Sequence, residues 1–179
     1  MVFLFLADGF EIIEALAPVD MLRRAKIDVK TVGVTGSTVT SSCGVAVNAD
    51  ITIDEFVYDH ADAIILPGGM PGTLNLENNQ LVQSAIEKAA GDNVLICAIC
   101  AAPSILGHKG LLKGKNAVAF PGFEKDLEGA VISDDYVVAD GNFITAKGAG
   151  VATEFGLKIV EMLTDKETAV KIKETIQCR

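Results

Sequence analysis

The run Val94-Leu95-Ile96-Cys97-Ala98-Ile99-Cys100-Ala101-Ala102-Pro103 constrains this chain more than any other stretch. A strand this apolar must be covered on both faces, which is the situation of a strand inside a parallel sheet. Cys100 then falls at the carboxyl end of that strand, where open α/β sheets hold their ligands. Pro103 suits the first turn of a helix starting at once behind it, because the N–H it lacks would have no intrahelical partner. Free N–H groups and the dipole of such a helix favour thiolate over thiol, so an acid-shifted Cys100 is expected. Two readings of Cys100 stand side by side: a small buried hydrophobe, as most free cysteines are, and a reactive thiol. Its place at a strand-to-helix elbow favours the second.

Cys97 and Cys100 form a C-x-x-C, but not one of the thioredoxin type. Along an extended strand their Cα atoms lie ~10 Å apart, beyond the ~7 Å limit for a disulfide. Cys97 is therefore expected in the core, and Cys43 and Cys178 complete no disulfide framework. Two histidines, His60 and His108, give zinc no convincing ligand set, and no metal or cofactor is expected.

The chain of 179 residues carries a formal charge of −9, which repels phosphate backbones and anionic bilayers. Nucleic acid and membranes are thus unexpected partners. No apolar run approaches the ~20 residues a transmembrane helix requires. Met1–Leu6 is apolar but lacks a basic flank and meets Asp8 and Glu11 early, so it reads as a strand and the chain as cytoplasmic.

Strands and helices alternate along the length, without an internal repeat or linker, predicting one domain over residues 1–179. Val2–Leu6 forms the first strand, and Asp8 with Glu11 fits a capping box for a helix over Glu11–Ala25. Glu14 lies beside that helix's apolar stripes, next to Ala17, Pro18 and Met21, so burial competes evenly with a solvated face. A buried Glu14 would hold its proton at neutral pH. Pro18 cannot donate to the carbonyl of Glu14, and a kink is expected there. Strands follow over Asp28–Val34 and Asp62–Leu66, with a ribbon over Ser37–Thr40 and Val45–Val47 turning at Cys43-Gly44. Pro67-Gly68-Gly69-Met70-Pro71-Gly72 is the second candidate site element: its glycines let backbone N–H groups form an anion nest, although a plain turn would look the same.

A helix over Asn78–Ala90 precedes the central strand, and Ala101–Leu106 is the helix behind Cys100. Short strands are expected at Ala117–Phe120, Val131-Ile132, Tyr136–Ala139 and Phe143–Ala146, then helices over Val151–Leu163 and Lys166–Ile176. Gly110–Asn116 is one residue short of a phosphate loop and places Asn where Ser or Thr is needed. Gly148-Ala149-Gly150 lacks a dinucleotide fingerprint and reads as a turn. Together these elements argue an α/β sandwich around a mostly parallel sheet.

Ala98-Ile99-Cys100-Ala101-Ala102-Pro103, Leu66-Pro67-Gly68-Gly69 and Gly9-Phe10-Glu11-Ile12-Ile13-Glu14 resemble the ThiJ/PfpI superfamily, within it the parkinsonism-associated deglycase branch and its bacterial YajL type. Pro18-Val19-Asp20, Met21–Ala25 and Gly148-Ala149-Gly150 extend the likeness over essentially the whole chain. The resemblance implies a flavodoxin-like three-layer sandwich, helices on both sheet faces, a homodimer, and a nucleophile elbow at Cys100. It implies that protonated Glu14 hydrogen-bonds the thiolate or its oxidised form. Backbone N–H groups at Gly68, Gly69 and Ala101 would receive a developing anion. Pro18, Asp20 and Phe120 would support the site.

Two departures bear on chemistry. Protease-type members carry histidine directly after the cysteine, where this chain has Ala101, which argues against a peptidase. Other members supply a histidine from a later loop, where this chain has Phe120, as YajL-type members do. Cys43 stands where relatives often have arginine near the dimer contact. The function expected from the resemblance is a glyoxalase or deglycase acting on 2-oxoaldehydes or their protein adducts through Cys100 and Glu14. The alternative is a redox sensor or stress chaperone in which peroxide oxidises Cys100 to a sulfinate. A thiamine-pathway role finds no thiazole or ATP site to rest on. The first helix and the Cys43 ribbon are the expected dimer face.

Overall fold

The apolar strands do assemble in one parallel stack. A computed structural model describes residues 1–178. The first half comprises β1 (Val2–Leu6), α1 (Ile12–Arg24), β2 (Val29–Gly33), β3 (Thr38–Thr40), β4 (Ala46–Asn48), β5 (Ile51–Thr52), β6 (Ala63–Leu66), α2 (Gly72–Glu77) and α3 (Gln80–Gly91). The second comprises β7 (Leu95–Ile99), α4 (Pro103–His108), β8 (Asn116–Ala117), β9 (Val131–Ile132), β10 (Val137–Asp140), β11 (Phe143–Ala146), α5 (Ala152–Leu163) and α6 (Lys166–Thr175). The main sheet has seven strands in the order β10-β11-β7-β6-β1-β2-β5. All its pairings are parallel except that of the edge strand β10 with β11.

Strand alternation divides the core into two layers. Leu95, Cys97 and Ile99 of β7 join Leu4, Leu6, Ile65 and Ile144 beneath α1, α5 and α6. Ile96 and Ala98 join Phe3, Phe5, Ile64 and Leu66 beneath α2, α3 and α4. This is the expected flavodoxin-like three-layer sandwich, and Cys97, fully buried in the first layer, is core as its strand position implied. Among the described residues no helix is long and apolar enough to cross a membrane.

The order reverses at β1: the chain goes from β1 to β2 on one side and returns to β6 on the other. The connections leaving β1 and β6 diverge there, opening the crevice in which such sheets bind ligands. The same two loops are pressed together. A Cβ on Gly69 would lie 2.4 Å from the Glu11 nitrogen, and one on Gly72 2.6 Å from the Phe10 nitrogen.

Several boundaries differ from expectation. The capping box at Asp8 does not form: Glu11 itself caps α1, its Oε2 accepting from the Glu14 N–H at 2.8 Å. Asp8 instead accepts from the Thr40 N–H at 2.7 Å, fastening the β1 loop to the β3–β4 ribbon. The strand expected over Ala117–Phe120 ends at Ala117, where pairing with β9 stops. Two short elements went unforeseen: β5, two residues long, and α2, which starts inside a Gly/Pro-rich loop. Pro18 sits within a continuous α1.

Pro18 lies where α1 packs closely on Gly156 of α5. A Cβ at Gly156 would stand 2.9 Å from the Pro18 Cα and 3.0 Å from the Met21 Cγ. Alanine at a helical position is worth about 1 kcal/mol over glycine, whereas overpacking against backbone costs about 1–3 kcal/mol. Pro18 Cα cannot move without prying α1 from α5, so Gly156→Ala is expected to lower stability in urea denaturation. Gly91→Ala at the end of α3, where a Cβ meets nothing within 4 Å, should leave stability equal or raised by up to about 1 kcal/mol.

Candidate active site

Cys100 leaves β7 in the left-handed region, with φ of +65°. For a residue with a side chain this costs on the order of 1–2 kcal/mol and must be imposed from outside. The clamps are its own backbone groups: the N–H donates to the Ala146 carbonyl at 2.9 Å, and the carbonyl accepts from the Phe120 N–H at 2.8 Å. The chain thus turns sharply between β7 and α4 and presents the thiol at the mouth of the crevice. Cys100 remains half-buried rather than sealed.

Glu14 comes to this thiol from the first turn of α1 and is 1% exposed, so the even choice left by its sequence neighbours resolves to burial. Its Oε2 accepts from the Gly68 N–H at 2.9 Å, and its carboxyl also meets the Cys100 thiol and the Ala149 N–H. Burial pushes the Glu14 carboxyl up to about 7, with the Glu11 charge adding to it. The hydrogen bonds from Cys100, Gly68 and Ala149 pull the other way.

Cys100 shows the opposite of the acid shift expected from the helix behind it. Burial, then the charge and hydrogen bond of Glu14, push the thiol up to about 12, while the N–H groups of Gly69 and Ala101 draw it down. The correction has a physical cause. α4 has six residues, and its few N–H groups are outweighed by desolvation and by a carboxylate in contact. The Glu14 contribution reverses when Glu14 is protonated, for a neutral carboxyl donates to a thiolate. The two groups therefore titrate as a pair sharing one negative charge.

Of the nest donors, Gly68 is already engaged by Glu14, while Gly69 and Ala101 point at the sulfur. No larger residue fits at Gly68: its Cβ would lie 2.6 Å from both the Cys100 Cβ and the Glu14 Oε2. Phe120, 47% exposed, reaches over the site, its Cδ2 lying 3.2 Å from where a Gly148 Cβ would be. Pro18 lies one turn below Glu14 and is buried against α5.

Asp20 does not join them. Its carboxylate pairs with Arg24 one turn on, at 2.8 Å, with its side chain 53% exposed on the outer face of α1. Residues that sequence reasoning passed over are Glu11 and Ala149. By sequence Glu11 fits half of a capping box and Ala149 part of a plain turn; Ala149 acts through a backbone N–H, which its residue type does not advertise. Among the described residues no cluster of potential metal ligands occurs.

With this geometry in view, the relatives fall into place. Residues 1–162 match the DJ-1/PfpI family. Protein dj-1beta of Drosophila melanogaster is 36% identical over 170 residues, spanning 93% of this chain and 91% of that protein. The Parkinson disease protein 7 homolog of Danio rerio is 35% identical over 173 residues, spanning 94% and 92%. Oxidized Toxoplasma gondii DJ-1 superposes with a TM-score of 0.94 at 34% identity, over 98% of this chain and 97% of that one. By sequence over nearly its full length, and by the fold that carries Cys100 and Glu14, the chain belongs to the DJ-1/PfpI family.

Proposed function

We propose that the protein is a cysteine-dependent stress enzyme of glyoxalase or deglycase type, acting on 2-oxoaldehydes or their protein adducts. The observation that carries this reading is the buried Glu14 carboxyl in hydrogen-bond contact with Cys100 at a strained elbow. Cys100 sulfur adds to the aldehyde carbon, and the carbonyl oxygen takes a proton to give a hemithioacetal. Glu14 removes the hydrogen from that carbon and returns a proton to the neighbouring one, while the hemithioacetal hydroxyl proton passes to the former ketone oxygen through the enediol, so the former ketone becomes a secondary alcohol and the sulfur-bearing carbon a thioester. Water then cleaves the thioester, releasing a 2-hydroxy acid and restoring the thiol. No outside oxidant is consumed, because the aldehyde is oxidised as the ketone is reduced. A group titrating near neutrality suits both directions of proton transfer.

Ala101 in place of a histidine argues against peptidase chemistry, and no cofactor is called for by these steps. A second copy of the chain is the expected partner: Ile13 of α1 and Val45 of the ribbon are 52% and 48% exposed. A second reading, peroxide oxidation of Cys100 to a sulfinate held by Glu14, is favoured by the Gly69 and Ala101 N–H groups already aimed at the sulfur.

Lactate formed from methylglyoxal separates the readings. Wild type should exceed Cys100→Ser clearly, with Glu14→Gln about 100-fold slower than wild type. Equal rates for wild type and Cys100→Ser overturn the enzymatic reading. Under stoichiometric peroxide, the sensor reading expects added mass on Cys100 ahead of Cys43, Cys97 and Cys178; an even spread counts against it.

Stability should also follow Glu14. Its carboxyl moves from an ordinary 4.5 to about 7 on folding, so the folded chain binds more protons between these values. The stabilisation is complete below about pH 4.5 and is lost as pH rises through 7, an effect of about 3 kcal/mol. Urea denaturation at pH 5 and pH 8 should show that fall in wild type and a much flatter response in Glu14→Gln.

A further inference from the structure

Glu11 stands at the hub of a closed hydrogen-bonded ring around the candidate proton carrier. Its carboxylate Oε2 accepts from the Glu14 N–H at 2.8 Å. Its own N–H donates to the Gly68 carbonyl at 2.9 Å. The Gly68 N–H then donates to the Glu14 Oε2 at 2.9 Å, closing the circuit. One side chain and one peptide group thus fasten the start of α1 to the loop after β6. The tightness of the fit at Gly69, whose Cβ would lie 2.4 Å from the Glu11 nitrogen, leaves this loop no room to slip.

We propose that Glu11 is a positioning residue of the site: its carboxylate, locked on the Glu14 N–H, biases the shared proton toward Glu14 and so favours the share of negative charge carried by Cys100. An ordinary cap would need only an acceptor at this place, and serine, threonine, asparagine or aspartate are the common choices. A glutamate supplies the acceptor and a fixed negative charge beside a second carboxyl. The partition of one proton between Glu14 and Cys100 is decided by whatever acts on one group and not on the other.

The groups facing Glu14 make that selectivity concrete. From α1 the titratable neighbour is Glu11, and from the elbow it is Cys100; the loop after β6 and the turn before α5 contribute the Gly68 and Ala149 N–H groups. Glu11 is hydrogen-bonded directly to Glu14 and pushes its carboxyl up, whereas the largest influences on Cys100 are burial, Glu14, Gly69 and Ala101. Glu11 therefore disfavours the form with carboxylate on Glu14 more than the form with thiolate on Cys100. This role rests on the Glu14–Cys100 proton pair of the proposed function, but not on any particular substrate.

The test reads the thiol directly, with iodoacetamide as a neutral probe and Cys100 followed by peptide mass from pH 5 to 9. Glu11→Gln keeps an oxygen acceptor for the Glu14 N–H and removes the charge. Its Cys100 should alkylate more slowly than wild type near pH 7, by about threefold to tenfold, as expected for loss of one close charge. Glu11→Asp, retaining the charge on a shorter arm, should restore much of the rate. In a Glu14→Gln background the Glu11→Gln change should have no effect on the alkylation profile, since the proposed action passes through Glu14. A Glu11→Gln chain with wild-type melting behaviour and a wild-type alkylation profile overturns the inference and reduces Glu11 to a cap. A slowing that persists in the Glu14→Gln background overturns it as well. Failure of methylglyoxal turnover leaves these outcomes unaltered and bears on the proposed function alone.

Discussion

One buried carboxyl holds the functional end of this sandwich together. Glu14 is reached by the Gly68 N–H from the loop after β6, by the Cys100 thiol from the elbow after β7, and by the Ala149 N–H from the turn after β11. Each of these comes from a different strand end, and the buried Gly68 N–H would be left unsatisfied if the carboxyl were withdrawn, at a cost of about 1–3 kcal/mol. The site is thus also a clasp. Its geometry depends on the sheet order, which sets β6 between β1 and β7 and so brings the loops after these strands within one side chain's reach.

The elbow follows from the same arrangement. A cysteine at φ of +65° is unfavourable alone, and nothing in Ile99-Cys100-Ala101 would select it locally. It is imposed by Ala146 on one side and Phe120 on the other, both of which take up Cys100's own backbone groups. Gly68 completes the constraint by leaving space for the thiol and the carboxyl to meet. Strain at Cys100 is therefore balanced by ordinary backbone hydrogen bonds several strands away in sequence.

Much of this was legible in the sequence because it is written in side-chain type. Continuous apolar runs at Val2–Leu6, Ala63–Leu66 and Leu95–Ile99 require a strand buried on both faces, and the alternation inside β7 sends Cys97 to one layer and leaves Cys100 at the end. Glu14 among apolar neighbours leaves burial and a solvated face evenly matched in the sequence, and the structure resolves it to burial. What escaped notice acts through backbone or through competition between nearby terms. Ala149 contributes an N–H that any residue but proline could supply. Asp8 and Glu11 are both plausible caps, and only the three-dimensional pull of Thr40 on Asp8 decides between them. The thiol's shift was misjudged because a helix N-terminus is visible in sequence, whereas the desolvation that outweighs it is not. Asp20 shares the helix of Glu14 but is six residues further on, which turns it about 120° around the helix to a solvated side beside Arg24.

The absence of histidine from the elbow and from position 120 gives the pair its character. With Ala101 and Phe120 at those places, the acid–base groups in contact at the site are Glu14 and Cys100. A proton leaving one of them has the other beside it as an acceptor, so thiol and carboxyl are linked by conservation of charge. Making the thiolate loads Glu14 with the proton, and emptying Glu14 restores the thiol. In a histidine-assisted site, by contrast, the base can be regenerated while the sulfur stays charged. Here the balance is set by fixed neighbours: Gly69 and Ala101 dipoles on the sulfur, Gly68 and Ala149 dipoles on the carboxylate, and the Glu11 charge beside Glu14. Two N–H groups favour each anion, and the Glu11 charge adds a bias toward a protonated Glu14 on top of the different intrinsic acidities of carboxyl and thiol.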